Sequence, residues 1–190
     1  MTKGRLEAFS DGVMAIILTI MVLELRVPHE AAWEALRPLG PKLLSYVLSF
    51  VYLGIYWNNH HHLLQAVHRV NGRILWANLH LLFWLSLIPF TTGWMGENRF
   101  APRPVALYGG VLLLAAIAYF LLVRALLAHH GADSALARAL GSDVKGRVSI
   151  LIYAAAIPLA FLHSRSATVL YAAVALMWLV PDRRLERLEA

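Results

Sequence analysis

Arg5, Ser10 and Asp11 stand together just ahead of the stretch 13–23, whose residues are apolar except for Thr19. That spacing puts a guanidinium and a carboxylate near the start of a helix apolar enough to enter a membrane. An ionisable side chain costs about 2.5–3.5 kcal/mol at the centre of such a helix and less near the interface, so one retained there marks a functional or assembly site. A second polar group, Tyr56-Trp57-Asn58-Asn59-His60-His61-His62, is followed by His68, Asn78 and His80. Imidazoles ligate zinc, copper and iron, and they relay protons. Metal chemistry, however, needs convergence. Three consecutive histidines on a helix fan over about 200°, whereas helix-borne ligand pairs are spaced by three or four. No repeated His-x-x-His-His pattern with carboxylates accompanies them. Neither a metal nor a cofactor is therefore expected. The expectation is a buried polar network in which some of Trp57, Asn58, Asn59, His61, Asn78 and His80 meet Arg5, Ser10 and Asp11, because an unpaired charge withdrawn from water is prohibitively costly.

The elements that must position these groups are membrane helices. Of 190 residues, 59% are hydrophobic and 15% charged, against about 45–50% and 25% in soluble domains. A chain this apolar has too little polar surface to cover itself in water. It has no cysteine, which excludes disulfides and thiolate metal sites. Lys3 and Arg5 ahead of an apolar run imitate a secretory signal, but Glu7 and Asp11 interrupt it and no Ala-x-Ala site follows, so the segment reads as a retained first helix. Six spans are expected, approximately 5–26, 39–64, 73–95, 104–127, 145–163 and 165–181, in one all-α polytopic domain over 1–190. A span needs about 20 residues, so the last two recruit flanking residues. Pro28, Pro38 and Pro41, then Asn71-Gly72, then Pro102 and Pro104 punctuate the first four. The polar connection 129–144 is expected to hold a brief helix capped by Asp133 or Ser134 and ending at Gly141. Pro89 and Pro158 are expected to kink spans three and five. Trp33, Trp94, Tyr108 and Trp178 read as an interfacial belt, and Gly109-Gly110 either permits close helix approach or simply relieves packing.

With the N-terminus cytoplasmic, eleven of the lysines and arginines fall on inside segments and six on outside ones, which favours both termini in the cytoplasm. The net charge of +6 then belongs to a membrane face attracted to anionic lipids, and no nucleic-acid partner is expected.

Within the first helix, Ile16, Thr19, Ile20 and Leu23 share a face, and Asp11 points about 140° away from Ile16. Stripe and carboxylate therefore serve different surfaces. Such a stripe ordinarily packs or meets lipid. Gathered in several copies around an axis, its isoleucines and leucine would instead make a constriction that gates by dewetting, and its threonines a ring of oxygen ligands for a cation.

The pattern Arg-x-x-x-Phe-Ser-Asp formed by Arg5, Phe9, Ser10 and Asp11 resembles the signature of the transmembrane protein 175 family, potassium channels of lysosomes and bacteria. Counted from the aspartate, the resemblance implies that Ile16 forms the narrowest hydrophobic ring, Thr19 a hydroxyl layer that selects, and Ile20 and Leu23 further apolar layers. It also implies a buried network around the motif, potassium as the permeant ion, and conduction without a re-entrant filter loop; no Thr-Val-Gly-Tyr-Gly string occurs in the chain. One six-span unit cannot enclose a pore, so a homotetramer in a cell membrane is implied, with one first helix from each copy. The alternative is a proton-coupled or metal-ion transporter using Asp11 and the histidines as a relay. No Gly-x-Ser-x-Gly, Walker or dinucleotide motif is present, and an enzyme is not expected.

Overall fold

A computed structural model describes residues 2–131, 134, 137 and 143–179. They form a bundle of helices, and no strand occurs among the described residues. Helix α1 spans Lys3–Leu23, and a 3-10 turn over Trp33–Leu39 leads into α2, Gly40–Gln65. Next come α3, Gly72–Ser86, and α4, Ile88–Glu97. They are followed by α5, Pro102–His130, then α6, Val144–Leu162, and α7, Ser164–Leu179. Among the described residues five segments are long and apolar enough to cross a membrane: Lys3–Leu23, Trp33–Gln65, Gly72–Glu97, Pro102–His130 and Val144–Leu162. Helix α7, with 16 residues, covers about 24 Å and is the short sixth span.

Local sequence explains where the helices start and stop. Asn71 Oδ1 accepts from the Ile74 N–H at 3.0 Å and caps α3, and Asp143 Oδ1 accepts from the Gly146 N–H at 3.2 Å and caps α6. Prolines occupy the first turns of α2, α4 and α5, where a missing N–H costs nothing. Pro89 divides span three into α3 and α4 as expected, and the Thr91 hydroxyl donates to the Leu87 and Ile88 carbonyls at 3.2 and 3.1 Å beside the break. Pro158, by contrast, sits inside an unbroken α6. In the 129–144 connection Ser134 Oγ accepts from the Ala137 N–H at 3.2 Å. Asp133 and Gly141 lie outside the described residues.

The long helix α5 packs on α3, α4, α6 and α7, and so joins two cores. One is aliphatic and gathers Leu6, Met14, Ile17 and Met21 of α1 with Leu53, Leu63, Leu81, Leu85 and Leu122. The other is built on Tyr52, Tyr108, Tyr153 and Tyr171 between small alanines of α6 and α7. Its phenols are paired: Tyr52 donates to the Tyr171 carbonyl at 2.6 Å, Tyr153 to the Tyr52 hydroxyl at 3.2 Å, and Tyr171 to the Val105 carbonyl at 3.3 Å. Ser49 Oγ lies 2.6 Å from Thr92 Oγ1 and 3.0 Å from the Tyr108 hydroxyl. Tyr108 is thus fully buried, not part of an interfacial belt, because its hydroxyl finds partners inside. Gly109 permits the close approach expected of it. A β-carbon there would collide with the Tyr171 hydroxyl, whereas one at Gly110 would meet open space.

Candidate functional site

Helix α1 presents two faces of opposite character. Leu6, Ser10, Met14, Ile17 and Met21 are buried, at the spacing of three and four that keeps side chains on one side of a helix. They press α1 against α2, α3 and α4. The other face carries Arg5, Phe9, Gly12, Ile16, Thr19, Ile20 and Leu23, all exposed. Ile16 is 58% exposed, Ile20 43% and Leu23 79%, so nothing within the chain covers the stripe read from the sequence. Arg5 and Phe9 each fall about 20° from Ile16 on the helix, which extends the face down to the N-terminus.

The Thr19 hydroxyl donates to the Ile16 carbonyl at 2.9 Å. The bond is the local one that threonine makes in membrane helices, although to the residue three back and not to Ala15. It commits the proton to the backbone, and the oxygen of this exposed residue keeps its remaining acceptor capacity.

Behind the stripe the polar groups separate. Ser10 is fully buried; its Oγ donates to the Leu6 carbonyl at 2.9 Å and accepts from Asn78 Nδ2 at 2.9 Å. Asn78 Oδ1 lies 2.7 Å from His60 Nε2, and His60 is 1% exposed. With the amide nitrogen spent on Ser10, the Asn78 oxygen is an acceptor, so the His60 proton belongs on Nε2. Asp11, one residue on, leaves this cluster and takes a bond at 3.0 Å from Trp57 Nε1 at the surface between α1 and α2. Ser10 therefore fastens α1 inward to α3 and α2, while Asp11 fastens it sideways to α2.

The network is smaller than the sequence implied, and one member is different. Trp57 and Asn78 take part. Asn59 donates to the Ile55 carbonyl at 2.8 Å. His61 Nε2 lies 2.8 Å from Gln65 Nε2, and the ring stacks on Trp57. His80 accepts from Trp84 Nε1 at 2.9 Å. These three are satisfied within their own helices, one turn away. Asn58 is exposed. Arg5 is also exposed and forms no ion pair with Asp11 among the described residues; the two lie about 120° apart on α1. His60 is the member that polarity alone did not single out. Its spacing did carry a signal, since Leu53, His60 and Leu64 recur at seven and four on the buried face of α2. Among the described residues no group of three or more histidines, aspartates or glutamates could hold a metal ion.

Residues 5–89, from the motif arginine to Pro89, match the family model described as the endosomal/lysosomal potassium channel TMEM175. A potassium channel of Chryseobacterium sp. (strain P1-3) is 54% identical over 187 residues, covering 98% of this chain and 97% of that one. A potassium channel of Streptomyces collinus is 35% identical over 125 residues, 62% of this chain and 61% of its own. Among solved structures, the crystal structure of a lysosomal potassium-selective channel TMEM175 homolog from Chamaesiphon minutus superimposes with a TM-score of 0.79 at 28% identity. It covers 95% of this chain and 97% of that one. The likeness is to channels and not to enzymes, it spans nearly the whole chain, and it includes every residue of the α1 face. The chain is a multi-pass membrane protein of the TMEM175 ion-channel family.

Proposed function

We propose that four copies of the chain surround an axis in a cell membrane, with α1 innermost in each, and conduct potassium down its gradient. One observation carries this reading: the Ile16, Thr19, Ile20 and Leu23 face is bare in the single chain, while the opposite face of α1 is pinned by a buried polar cluster. Lipid would cover a purely apolar face, but this one also carries the exposed Arg5 and the Thr19 hydroxyl, which suit an axis shared by copies of α1 better than hydrocarbon tails. Ile16 then makes the main constriction, closed to water by its hydrocarbon, and Ile20 and Leu23 continue it outward. Thr19 contributes one oxygen per copy to ions shedding water. A single layer of hydroxyls offers few ligands, so preference for potassium over sodium is modest. Ser10 fixes the angle of α1 within each copy; Asp11, Arg5 and Phe9 stand where a neighbouring copy can meet them. Both termini lie in the cytoplasm, on the side rich in lysine and arginine, and lipid contacts the outward residues of α6 and α7 such as Leu151, Phe161, Val169 and Leu176, all exposed. The whole of 1–190 acts as one channel domain.

The test is reconstitution into planar bilayers with ion replacement on one side. A channel gives unitary currents whose reversal follows the potassium gradient. Slow flux that saturates with substrate and depends on pH would assign a transporter using Asp11 and the histidines, and no flux would assign a scaffold.

A further inference from the structure

Away from α1, a cavity of about 50 Å³ lies between α2, α5, α6 and α7, and its wall includes Tyr56, Asn59, Ala116, Tyr119, Ser149 and Trp178. At about 10–15 Å³ per water-sized occupant it holds about three to five non-hydrogen atoms. Lys145 stands nearby, its ammonium 5.8 Å from the centre of the Trp178 ring, but among the described residues no charged one lines the cavity, so a neutral ligand fits this wall better than an ionic one. Most of the wall is aromatic or aliphatic. Its polar atoms are in unequal states. Ser149 Oγ is occupied, accepting from Trp178 Nε1 and donating to the Lys145 carbonyl, both at 2.8 Å. Tyr119 spends its proton on the Asn59 carbonyl at 3.2 Å and keeps its oxygen lone pairs. The Tyr56 hydroxyl has no hydrogen-bond partner among the described residues, and its ring meets that of Tyr119 edge to face at 6.2 Å. The cavity therefore offers one free donor and one free acceptor on adjoining rings, over an apolar floor. A single hydroxyl satisfies both, and a short hydrocarbon tail fills the rest.

We propose that this cavity binds a small neutral amphiphile of the short-chain alcohol class, its hydroxyl held between Tyr56 and Tyr119. The site also touches the pore-side machinery. Tyr56 and Asn59 line the cavity, while Trp57 and His60, on the same turn of α2, hold Asp11 and Asn78. An occupant presses on the turn that grips α1, so on the channel reading given above it changes the current.

The probe is 2-bromoethanol, a neutral alcohol with four non-hydrogen atoms whose bromine quenches nearby indoles. Titrated into the full-length protein, it is expected to give a saturable component of tryptophan quenching in the millimolar range. That component disappears in Trp178→Phe and in Ala116→Leu, which fills the space, and its midpoint rises several-fold in Tyr56→Phe. Should Ala116→Leu fail to fold, Tyr56→Phe decides alone. Quenching that is linear, or that saturates identically in the Tyr56 and Ala116 variants, overturns the site and leaves water as its only occupant. In bilayers the same probe is expected to alter wild-type unitary current but not that of Ala116→Leu. Saturable quenching beside an unaltered current overturns the coupling and keeps the site. Untreated protein that passes no current fails the channel reading, not the cavity.

Discussion

Asn78 Nδ2 donates to Ser10 Oγ at 2.9 Å, and both residues are shielded completely from solvent. Their bond joins α1 to α3 where no water can substitute. Asn78→Ala orphans the buried His60 ring, takes one of two bonds from Ser10, which keeps its bond to the Leu6 carbonyl, and opens the larger cavity, whereas Ser10→Ala orphans only the Asn78 amide. Each orphan costs about 1–3 kcal/mol. Asn78→Ala is thus expected to lower the thermal midpoint in detergent clearly more than Ser10→Ala does. Equal losses would mean that water reaches the cluster.

Asp11 is held by Trp57 at the edge of α1, turned away from the exposed stripe. Asp11→Ala removes a charge-assisted acceptor and frees the Trp57 indole. It is expected to reduce tetramer yield or thermal stability while leaving ion selectivity in the surviving channels unchanged. Gel filtration beside reversal-potential measurements separates the two, and a variant that assembles normally but loses selectivity would place Asp11 in the ion path.

Gly109 and Gly110 form an internal control. A methyl at Gly109 strikes the Tyr171 hydroxyl and displaces it from the Val105 carbonyl, an overpacking that costs about 1–3 kcal/mol. At Gly110 a methyl meets open space, and alanine is worth about 0.5–1 kcal/mol in a helix. Gly109→Ala should therefore destabilise and Gly110→Ala should be neutral or stabilising in the same melting assay.

Ile16 is 58% exposed on the bare face of α1. If four such side chains dry the axis, Ile16→Asn hydrates the narrowest point, and single-channel conductance rises while discrimination among cations falls. Unchanged conductance and selectivity in an assembled variant would move the gate elsewhere.

How much of this was legible in the sequence depended on whether a feature is local. The division of α1 into a stripe and a carboxylate follows from 100° per residue, and the helix keeps it. The ends of the spans follow from Pro41, Asn71 and Pro102, whose effects are confined to one turn. Partner choice is not local. His61 and His80 look as available as His60, yet each reaches a mate four residues along its own helix, Gln65 and Trp84, and only His60 faces α3. An Arg5–Asp11 pair fails for a reason the sequence did contain, since six residues turn the helix about 120° away from alignment. Tyr108 is ambiguous in the sequence because a phenol near a helix end suits an interface equally well; the residues that bury it, Ser49, Tyr52 and Tyr171, come from two other helices that no local pattern links to it.

Thr19 separates most sharply a helix that lines a pore from one that merely packs. Its hydroxyl donates to the Ile16 carbonyl at 2.9 Å, a bond that alone would make Thr19→Val nearly silent, since valine has the same shape and the backbone oxygen keeps its helical partner. The side chain is exposed, however, and Thr19 holds the sole side-chain oxygen on the stripe from Ile16 to Leu23. With its proton committed to the backbone, the oxygen keeps acceptor capacity. On the tetramer proposed above, it would be the one place in an otherwise hydrocarbon constriction where a potassium ion could replace lost water. Thr19→Val is expected to leave assembly intact by gel filtration and to shift the potassium–sodium reversal potential towards zero discrimination. A reversal potential that does not move would reduce Thr19 to helix packing and require selectivity to arise away from α1.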